Sequence, residues 1–216
     1  MKQKILLLLS LFVIAASQAW GQTYDLVTSN AQLEEGAEYI ILGQRGNNTI
    51  LVMTTTQNSN NRAGVVISGT TLPTTLEAEA NYAVFELGLS DGHWTFYDAE
   101  NEGFLYAASS SSNHLKTRPL VSDGNSRWEI NIDNDNNIAS VVAQGTNSRK
   151  VMQLNNTNGQ DLFACYASAS QAPVYLYKKG VASQNPILKP SEQEITGWGY
   201  MEGNASVSQS FVLSGM

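Results

Sequence analysis

The hydrophobic positions of this chain fall in short runs of alternating character, and Gly, Asn and Ser cluster between the runs. The runs are rich in Val, Ile, Tyr, Phe and Thr, and helical periodicity is nearly absent after Gly21, which favours an all-β protein. A further edge strand is expected at Tyr24–Val27 and a helical turn at Asn30–Leu33. The twelve main predicted strands are Tyr39–Gly43, Ile50–Thr54, Gly64–Ser68, Val84–Leu87, Trp94–Tyr97, Phe104–Ala107, His114–Thr117, Trp128–Ile132, Ser140–Ala143, Val151–Leu154, Phe163–Tyr166 and Val174–Tyr177.

The twelve predicted strands divide into three sets of four that resemble one another. The first connection of each set has a polar residue, two further residues and then Asn, in Gln44–Asn47, Asp98–Asn101 and Gln144–Asn147. Their spacing is that of a supersecondary unit repeated along the chain. We therefore predict a β-trefoil-like barrel of about twelve strands in three pseudo-repeats, with six strands closing the barrel and six forming hairpins. A β-sandwich is the alternative.

The fourth strand of each set has aromatic or aliphatic residues at alternate positions. One face of such a strand is expected to be buried. We expect Phe85, Trp128 and Tyr175 to occupy related positions in the three sets and to contribute to a single core.

Both ends of the chain differ from the β-rich middle. Lys2 and Lys4 precede an apolar run that is shorter than the ~20 residues of a membrane-spanning helix, and small residues follow at Ala19 and Gly21. This pattern is typical of a secretion signal, so we expect a secreted or cell-surface protein whose mature chain has no membrane span. The predicted organisation is a signal peptide at 1–21, a β-trefoil-like domain at 22–179, a linker at 180–190 and a short β tail at 191–216.

Composition narrows the classes of function. The 216 residues carry a formal net charge of −7, and only 14% of residues are charged. A nucleic-acid-binding surface needs a basic face, so we expect no nucleic-acid partner for this domain. Cys165 is the only cysteine, and its alternation with apolar neighbours indicates a buried strand position rather than a catalytic thiol.

Motifs for catalysis and metal binding are not found in the sequence. His93 and His114 lack partners at metal-ligand spacing, and the acidic residues near Asp98 lie in a predicted turn. The Asp- and Asn-rich stretch 133–137 resembles the start of a calcium loop, but Ile138 stands where that loop needs Gly. We therefore predict no enzyme activity, no cofactor and no metal site.

The remaining chemistry lies in three polar loops, at 57–62, 109–114 and 155–160, each between the second and third strands of a set. Their amide and hydroxyl groups suit hydrogen bonding to sugar hydroxyls, and aromatic faces suit packing against sugar rings. The pattern Gln-x-x-Asn-x-Arg occurs in 57–62 and again in 144–149. Candidate aromatic surfaces are Trp94, Tyr97, Tyr106 and Tyr166. The predicted ligand-binding residues are Gln57, Asn60, Arg62, Trp94, Asn113, His114 and Asn158.

Four stretches of the β-rich middle carry a resemblance to a known family: 24–28, 57–62, 104–113 and 174–179. They resemble the N-terminal β-rich module of large secreted Bacteroidota proteins. The tail at 210–215 is similar to the opening of an immunoglobulin-like repeat of the same proteins, so the resemblance implies a partial Ig-like segment at 191–216. It also implies an exported multidomain protein, whose partner domains are sometimes nucleases or other hydrolases.

Our first hypothesis is a secreted, non-catalytic recognition module within a larger extracellular protein, with neutral glycans or another cell-surface ligand as its partner. The second is an accessory domain of a secreted nuclease or hydrolase. The third is a structural component of an adhesin. The Gln-x-Trp motif of ricin-type lectins is not found in this sequence. Neither the ligand nor the oligomeric state follows from the sequence.

Overall fold

The computed structural model describes residues 22–180, whose regular secondary structure is almost entirely antiparallel β-strand. All twelve predicted strands are present, so the all-β prediction is confirmed. The predicted signal peptide, the linker beyond Gly180 and the β tail lie outside the described residues. The strands are β1 (Thr23–Leu26), β2 (Glu38–Gln44), β3 (Ile50–Gln57), β4 (Arg62–Val66), β5 (Thr75–Glu77), β6 (Phe85–Ser90), β7 (His93–Asp98), β8 (Gly103–Ala107), β9 (Leu115–Arg118), β10 (Trp128–Ile132), β11 (Ala139–Ala143), β12 (Val151–Leu154), β13 (Leu162–Tyr166) and β14 (Val174–Lys179).

Six of these strands are paired in a closed cycle. β2 pairs with β6, β6 with β7, β7 with β10, β10 with β11, β11 with β14, and β14 returns to β2. Three hairpins, β3–β4, β8–β9 and β12–β13, each connect two successive strands of the cycle. The chain therefore runs through three four-strand sets: β2, β3, β4 and β6; then β7 to β10; then β11 to β14. β1 and β5 are additions to this plan, and β5 was not predicted.

The main core contains inward-facing residues from all three sets. Trp128 is fully buried, its ring packs edge-on against Phe96 at 6.2 Å, and its indole N–H donates to the carbonyl of Leu105 at 3.3 Å. Phe85 belongs to the same core, as predicted. The prediction for Tyr175 is wrong by one position, because Val174 and Leu176 are the β14 residues that enter this core.

Tyr175 instead belongs to a second hydrophobic cluster on the opposite face of β2, β3 and β14. β1 and the long connection between β4 and β6 cover this face, and the hydroxyl of Tyr177 donates to the carbonyl of Pro73 at 2.7 Å. β14 is therefore buried on both faces. In a strand that is buried on both faces, apolar residues do not alternate with polar ones, so the sequence does not show which residues face the main core. This explains the one-residue error.

The turn between the first and second strands of each set forms a hydrogen bond to a neighbouring set, and the three bonds are equivalent. The side-chain amide of Asn101 donates to the carbonyl of Thr55, near the end of β3. The side-chain amide of Asn147 donates to the carbonyl of Ala107, at the end of β8. In the first set Arg45 makes the equivalent bond, from Nε to the carbonyl of Asn155 just after β12. Each set is thus joined to another at the end of its second strand.

We expect Asn147→Ala to lower the free energy of unfolding by about 1–3 kcal/mol, because it leaves the carbonyl of buried Ala107 without its donor. Asn47→Ala is the matched control. Asn47 occupies the same place in the first turn, but it is exposed, and its side chain accepts only from the backbone N–H of Thr49. Asn47→Ala should therefore lower the free energy of unfolding by only about 0.5 kcal/mol. Urea unfolding of both variants measures the difference, and equal losses would contradict the role given to Asn147.

Candidate functional site

Two of the predicted binding loops are joined by hydrogen bonds. Gln57 ends β3, and its side-chain amide donates to the carbonyls of Asn58 at 2.7 Å and Asn61 at 2.8 Å, which holds the β3–β4 loop closed. The backbone N–H of Leu115 donates to the carbonyl of Asn60 at 3.0 Å. Because Leu115 directly follows His114, this bond places the two loops side by side.

A third connection, between β11 and β12, joins the same place. The guanidinium of Arg149 donates to the Asn113 side chain at 2.6 Å, and the Ser148 hydroxyl donates to the carbonyl of Ser110 at 2.7 Å. The hydroxyl of Ser110 in turn donates to the Asn147 side chain at 2.9 Å. Connections from all three four-strand sets therefore meet here. We call residues 57–62, 109–114 and 145–150 the loop junction.

Several polar atoms of the loop junction are buried without a hydrogen-bond partner among residues 22–180. They are two acceptors, Gln57 Oε1 and Asn61 Oδ1, and two donors, Arg149 Nε and, deeper in the protein, Arg62 Nε. A buried polar atom is normally paired by protein or by a bound molecule, since an unpaired one is costly. The side chains of Gln57, Asn61 and Arg149 therefore gain hydrogen bonds if they turn toward a small hydroxylated molecule or pair with water.

His114 adds a fourth type of polar group to the junction. Partial burial lowers the pKa of its imidazole below the ordinary value, and the positive charge of Lys116 lowers it further. A lowered pKa keeps the ring neutral at pH 7, and a neutral imidazole has one donor and one acceptor. His114 can therefore both give and receive a hydrogen bond at neutral pH.

Arg62 is not a surface residue of the junction, contrary to the prediction. Its side chain is fully buried and forms a 2.7 Å ion pair with Asp98, and it also donates to the carbonyl of Thr54 and the hydroxyl of Thr117. Burial lowers the pKa of the guanidinium, while Asp98 opposes that shift. Arg62 thus joins the first set to the second beneath the junction, and a ligand at the surface does not contact it.

Two other predicted residues lie outside the loop junction. Trp94 is on β7, opposite Trp128 in the sheet, and packs half-buried against the main core. Asn158 is exposed in the β12–β13 loop. That loop is held by Arg45, which forms a 2.9 Å ion pair with Asp161. All three polar loops lie between the second and third strands of their sets. Only two of them, 57–62 and 109–114, belong to the loop junction, and its third part is the connection 145–150.

The side chains of Asn61 and Arg149 were missed as candidates. The repeated Gln-x-x-Asn-x-Arg pattern was the signal that could have found Arg149, since this residue ends the second copy. The two copies place their arginines differently, however. Arg62 is directed into the protein toward Asp98, whereas Arg149 contacts the Asn113 loop.

No group of three His, Cys, Asp or Glu side chains among residues 22–180 is arranged to hold a metal ion. Cys165 is buried, and burial raises the pKa of its thiol. Between residues 22 and 180, no helix has the length and apolar character that crossing a bilayer requires.

No protein-family model and no curated protein matches the chain. Among solved structures it is similar to the GlcNAcα1-4Gal-releasing endo-β-galactosidase from Clostridium perfringens, at 11% identity over 67% of this chain and 33% of that one, with a TM-score of 0.48. It is also similar to the lysenin pore, at 11% identity, 72% and 50% coverage and a TM-score of 0.45. The chain is likewise similar to the complex of lysenin with phosphocholine, at 12% identity over 72% of this chain and 48% of that one, with a TM-score of 0.46. The chain spans between a third and a half of the length of these structures.

Proposed function

We propose that residues 22–180 form a β-trefoil. The closed cycle of six strand pairings and the three hairpins between its strands support this arrangement. The equivalent bonds from Arg45, Asn101 and Asn147 support a pseudo-threefold relation between the sets. A closed cycle has no free edges and gives loops a rigid base.

We further propose that the protein is a secreted, non-catalytic recognition module of a larger extracellular protein, and that it binds neutral glycans at the loop junction. The observation that carries this proposal is the meeting of three connections around unpaired buried acceptors and a donor. Sugar hydroxyls both donate and accept, so they match a mixed set of amide, hydroxyl and imidazole groups.

Charge supports neutral rather than acidic glycans. The chain has a formal net charge of −7, and its field repels polyanions at long range. At the junction Arg149 and Lys150 keep their positive charges, because the partner of Arg149 is the neutral amide of Asn113, whereas His114 is neutral at pH 7. The expected preference for neutral glycans therefore rests on the net charge of the chain, and the two cations serve as hydrogen-bond donors.

We expect Asn60→Ala/Asn113→Ala to weaken binding of a neutral oligosaccharide by more than about tenfold, because two hydrogen bonds worth roughly 1 kcal/mol each are removed. The measurement is titration calorimetry with tetrasaccharides of glucose, xylose and N-acetylglucosamine. Asn158→Ala is the matched control, since it removes an exposed loop amide outside the junction and should leave affinity unchanged.

The same mixtures should contain no cleaved sugar after prolonged incubation, with or without divalent metal ions. Failure of the wild-type protein to bind any neutral oligosaccharide at millimolar concentration would overturn the proposed ligand class. Equal affinity in the wild type and the double variant would overturn the junction as its site. The double variant keeps the Asn60 carbonyl that pairs with Leu115 but loses the hydrogen bond from Arg149 to Asn113, which is worth about 1 kcal/mol. A loss of stability no larger than this shows that the variant is folded and that the loss of affinity is one of binding.

A further inference from the structure

One face of the second four-strand set has a row of aromatic and charged side chains. Glu86, Tyr97, Phe104 and Arg118 are direct cross-strand neighbours on β6, β7, β8 and β9. Tyr106 lies two residues along β8 from Phe104, on the same face. We call these five residues the aromatic row. Glu86 is exposed, and the other four are partly exposed.

The rings of the aromatic row are held in place by the sheet and by a fixed cation. The ring centres of Tyr97 and Phe104 are 5.1 Å apart with a tilt of 56°. The Arg118 guanidinium lies over the ring of Tyr106 at 4.6 Å, and Asp123 accepts from both of its terminal nitrogens at 3.1 and 2.8 Å. Arg118 also donates to Ser126 at 2.6 Å. These contacts orient the row before any ligand arrives.

The corresponding face of the first set is covered by the chain itself. There the strands present mainly aliphatic residues such as Ile40, Leu42 and Val52, and β1 and the β4–β6 connection pack on them. The aromatic row differs in composition, because its rings are flanked by charges. Among residues 22–180 no segment covers it in this way. Its composition suits an occupant with both an apolar face and hydroxyl groups.

From this geometry we propose that the aromatic row is a pyranose-binding subsite of the glycan site. The C–H face of a pyranose packs on Tyr97, Phe104 or Tyr106, as apolar surfaces pack on aromatic rings. The Glu86 carboxylate accepts from hydroxyl groups at one end of the row. At the other end Asp123 neutralises Arg118, and Lys116 opposite Tyr106 balances the charge of Glu86, so these groups together carry no net charge and favour a neutral sugar.

The aromatic row is continuous with the loop junction, and this inference rests on the function proposed for the junction. Lys116 of β9 is the cross-strand neighbour of Tyr106. It follows His114 by two residues, which is a distance of roughly 7 Å at the rise of an extended strand. Ala107, next to Tyr106, accepts the hydrogen bond from Asn147 of the junction. One oligosaccharide can therefore occupy both places, with one sugar at the junction and others along the row.

The test compares the binding of a tetrasaccharide with that of a monosaccharide, in two pairs of variants. Tyr97→Leu and Tyr106→Leu each remove a ring, whereas Tyr97→Phe and Tyr106→Phe keep it. We expect each Leu variant to weaken binding of a neutral tetrasaccharide roughly tenfold, or about 1.4 kcal/mol, and to leave binding of the monosaccharide unchanged. The Phe variants should bind like the wild type. Asn60→Ala/Asn113→Ala should weaken binding of both the tetrasaccharide and the monosaccharide.

The outcomes separate the subsite from the function on which it rests. Tetrasaccharide affinity that is unchanged in both Leu variants, but lost in the junction variant, would overturn the subsite and leave the glycan function standing. No binding of either ligand by the wild type would overturn both. A concentration-dependent dimer that dissociates in Tyr97→Leu would also overturn the subsite, because a second copy of the chain would then be its occupant.

Discussion

Replacing Asp98 with alanine is expected to lower the free energy of unfolding by about 3–5 kcal/mol, the usual result of removing one partner of a buried ion pair. The exposed fractions of the Arg62 and Asp98 side chains are 0% and 1%, and their charged atoms are 2.7 Å apart. Without Asp98 the guanidinium keeps its charge inside the protein with no counter-ion. Urea unfolding at neutral pH measures the loss.

The loss is expected to be large because Asp98 has several partners. Its carboxylate also accepts from the backbone and the side-chain amide of Asn101, and that amide donates in turn to the carbonyl of Thr55. Asp98→Ala therefore disturbs the contact between the first and second sets in two ways. The effect should extend beyond the pair itself.

Two further variants test the cause. Arg62→Met/Asp98→Leu replaces both charges with apolar groups and should recover the part of the loss that comes from the unpaired charge, but not the part that comes from the Asn101 hydrogen bonds. Glu34→Ala breaks the exposed pair with Lys178 and should change stability little. A loss of less than about 1 kcal/mol for Asp98→Ala would mean that the buried pair does not hold these sets together.

Trp128→Ala is expected to cost about 3–5 kcal/mol, the range measured when a large buried aromatic residue is reduced to alanine. Its side chain is fully buried in the main core, beside Phe96, and its indole N–H is paired with the carbonyl of Leu105. The variant leaves both a cavity and an unpaired carbonyl. Urea unfolding followed by far-UV circular dichroism gives the change without relying on tryptophan fluorescence.

Trp94→Ala is the matched control for Trp128→Ala. Trp94 is the neighbour of Trp128 across β7 and β10, but it is half-buried at the border of the same core. Its removal exposes less new surface, so its loss should be clearly smaller. Equal losses for the two variants would show that Trp128 has no special place in the core.

Some strands, such as β8, β10 and β11, could be predicted from alternation because they have one buried and one open face, whereas β2 and β3 could be predicted as continuous apolar runs. β10 is an example of alternation, since Trp128, Ile130 and Ile132 are buried while Glu129 and Asn131 are exposed. In such a strand the two-residue period of the side chains is visible in the sequence. In β14 both faces are buried, and the sequence could not distinguish Tyr175 from Val174.

Part of the loop junction could be predicted from the sequence, for a related reason. Gln57, Asn60, Asn113 and His114 belong to loops rich in amides and hydroxyls, and the structure brings these loops together. The fate of Arg62 could not be predicted, because its partner Asp98 is 36 residues away in the sequence. Whether an arginine in a loop motif faces water or a buried carboxylate depends on that distant partner.

The sequence by itself determined the number, order and approximate bounds of the main strands and the polar character of the loops, because strand alternation and turn residues are local properties. Only the tertiary structure decided which loops meet, which face of β14 joins the main core, and which arginine is fully buried. These outcomes depend on contacts between residues far apart in the chain, such as Arg149 with Asn113 and Arg45 with Asp161. Such contacts form when the three sets pack together, and no local pattern encodes them.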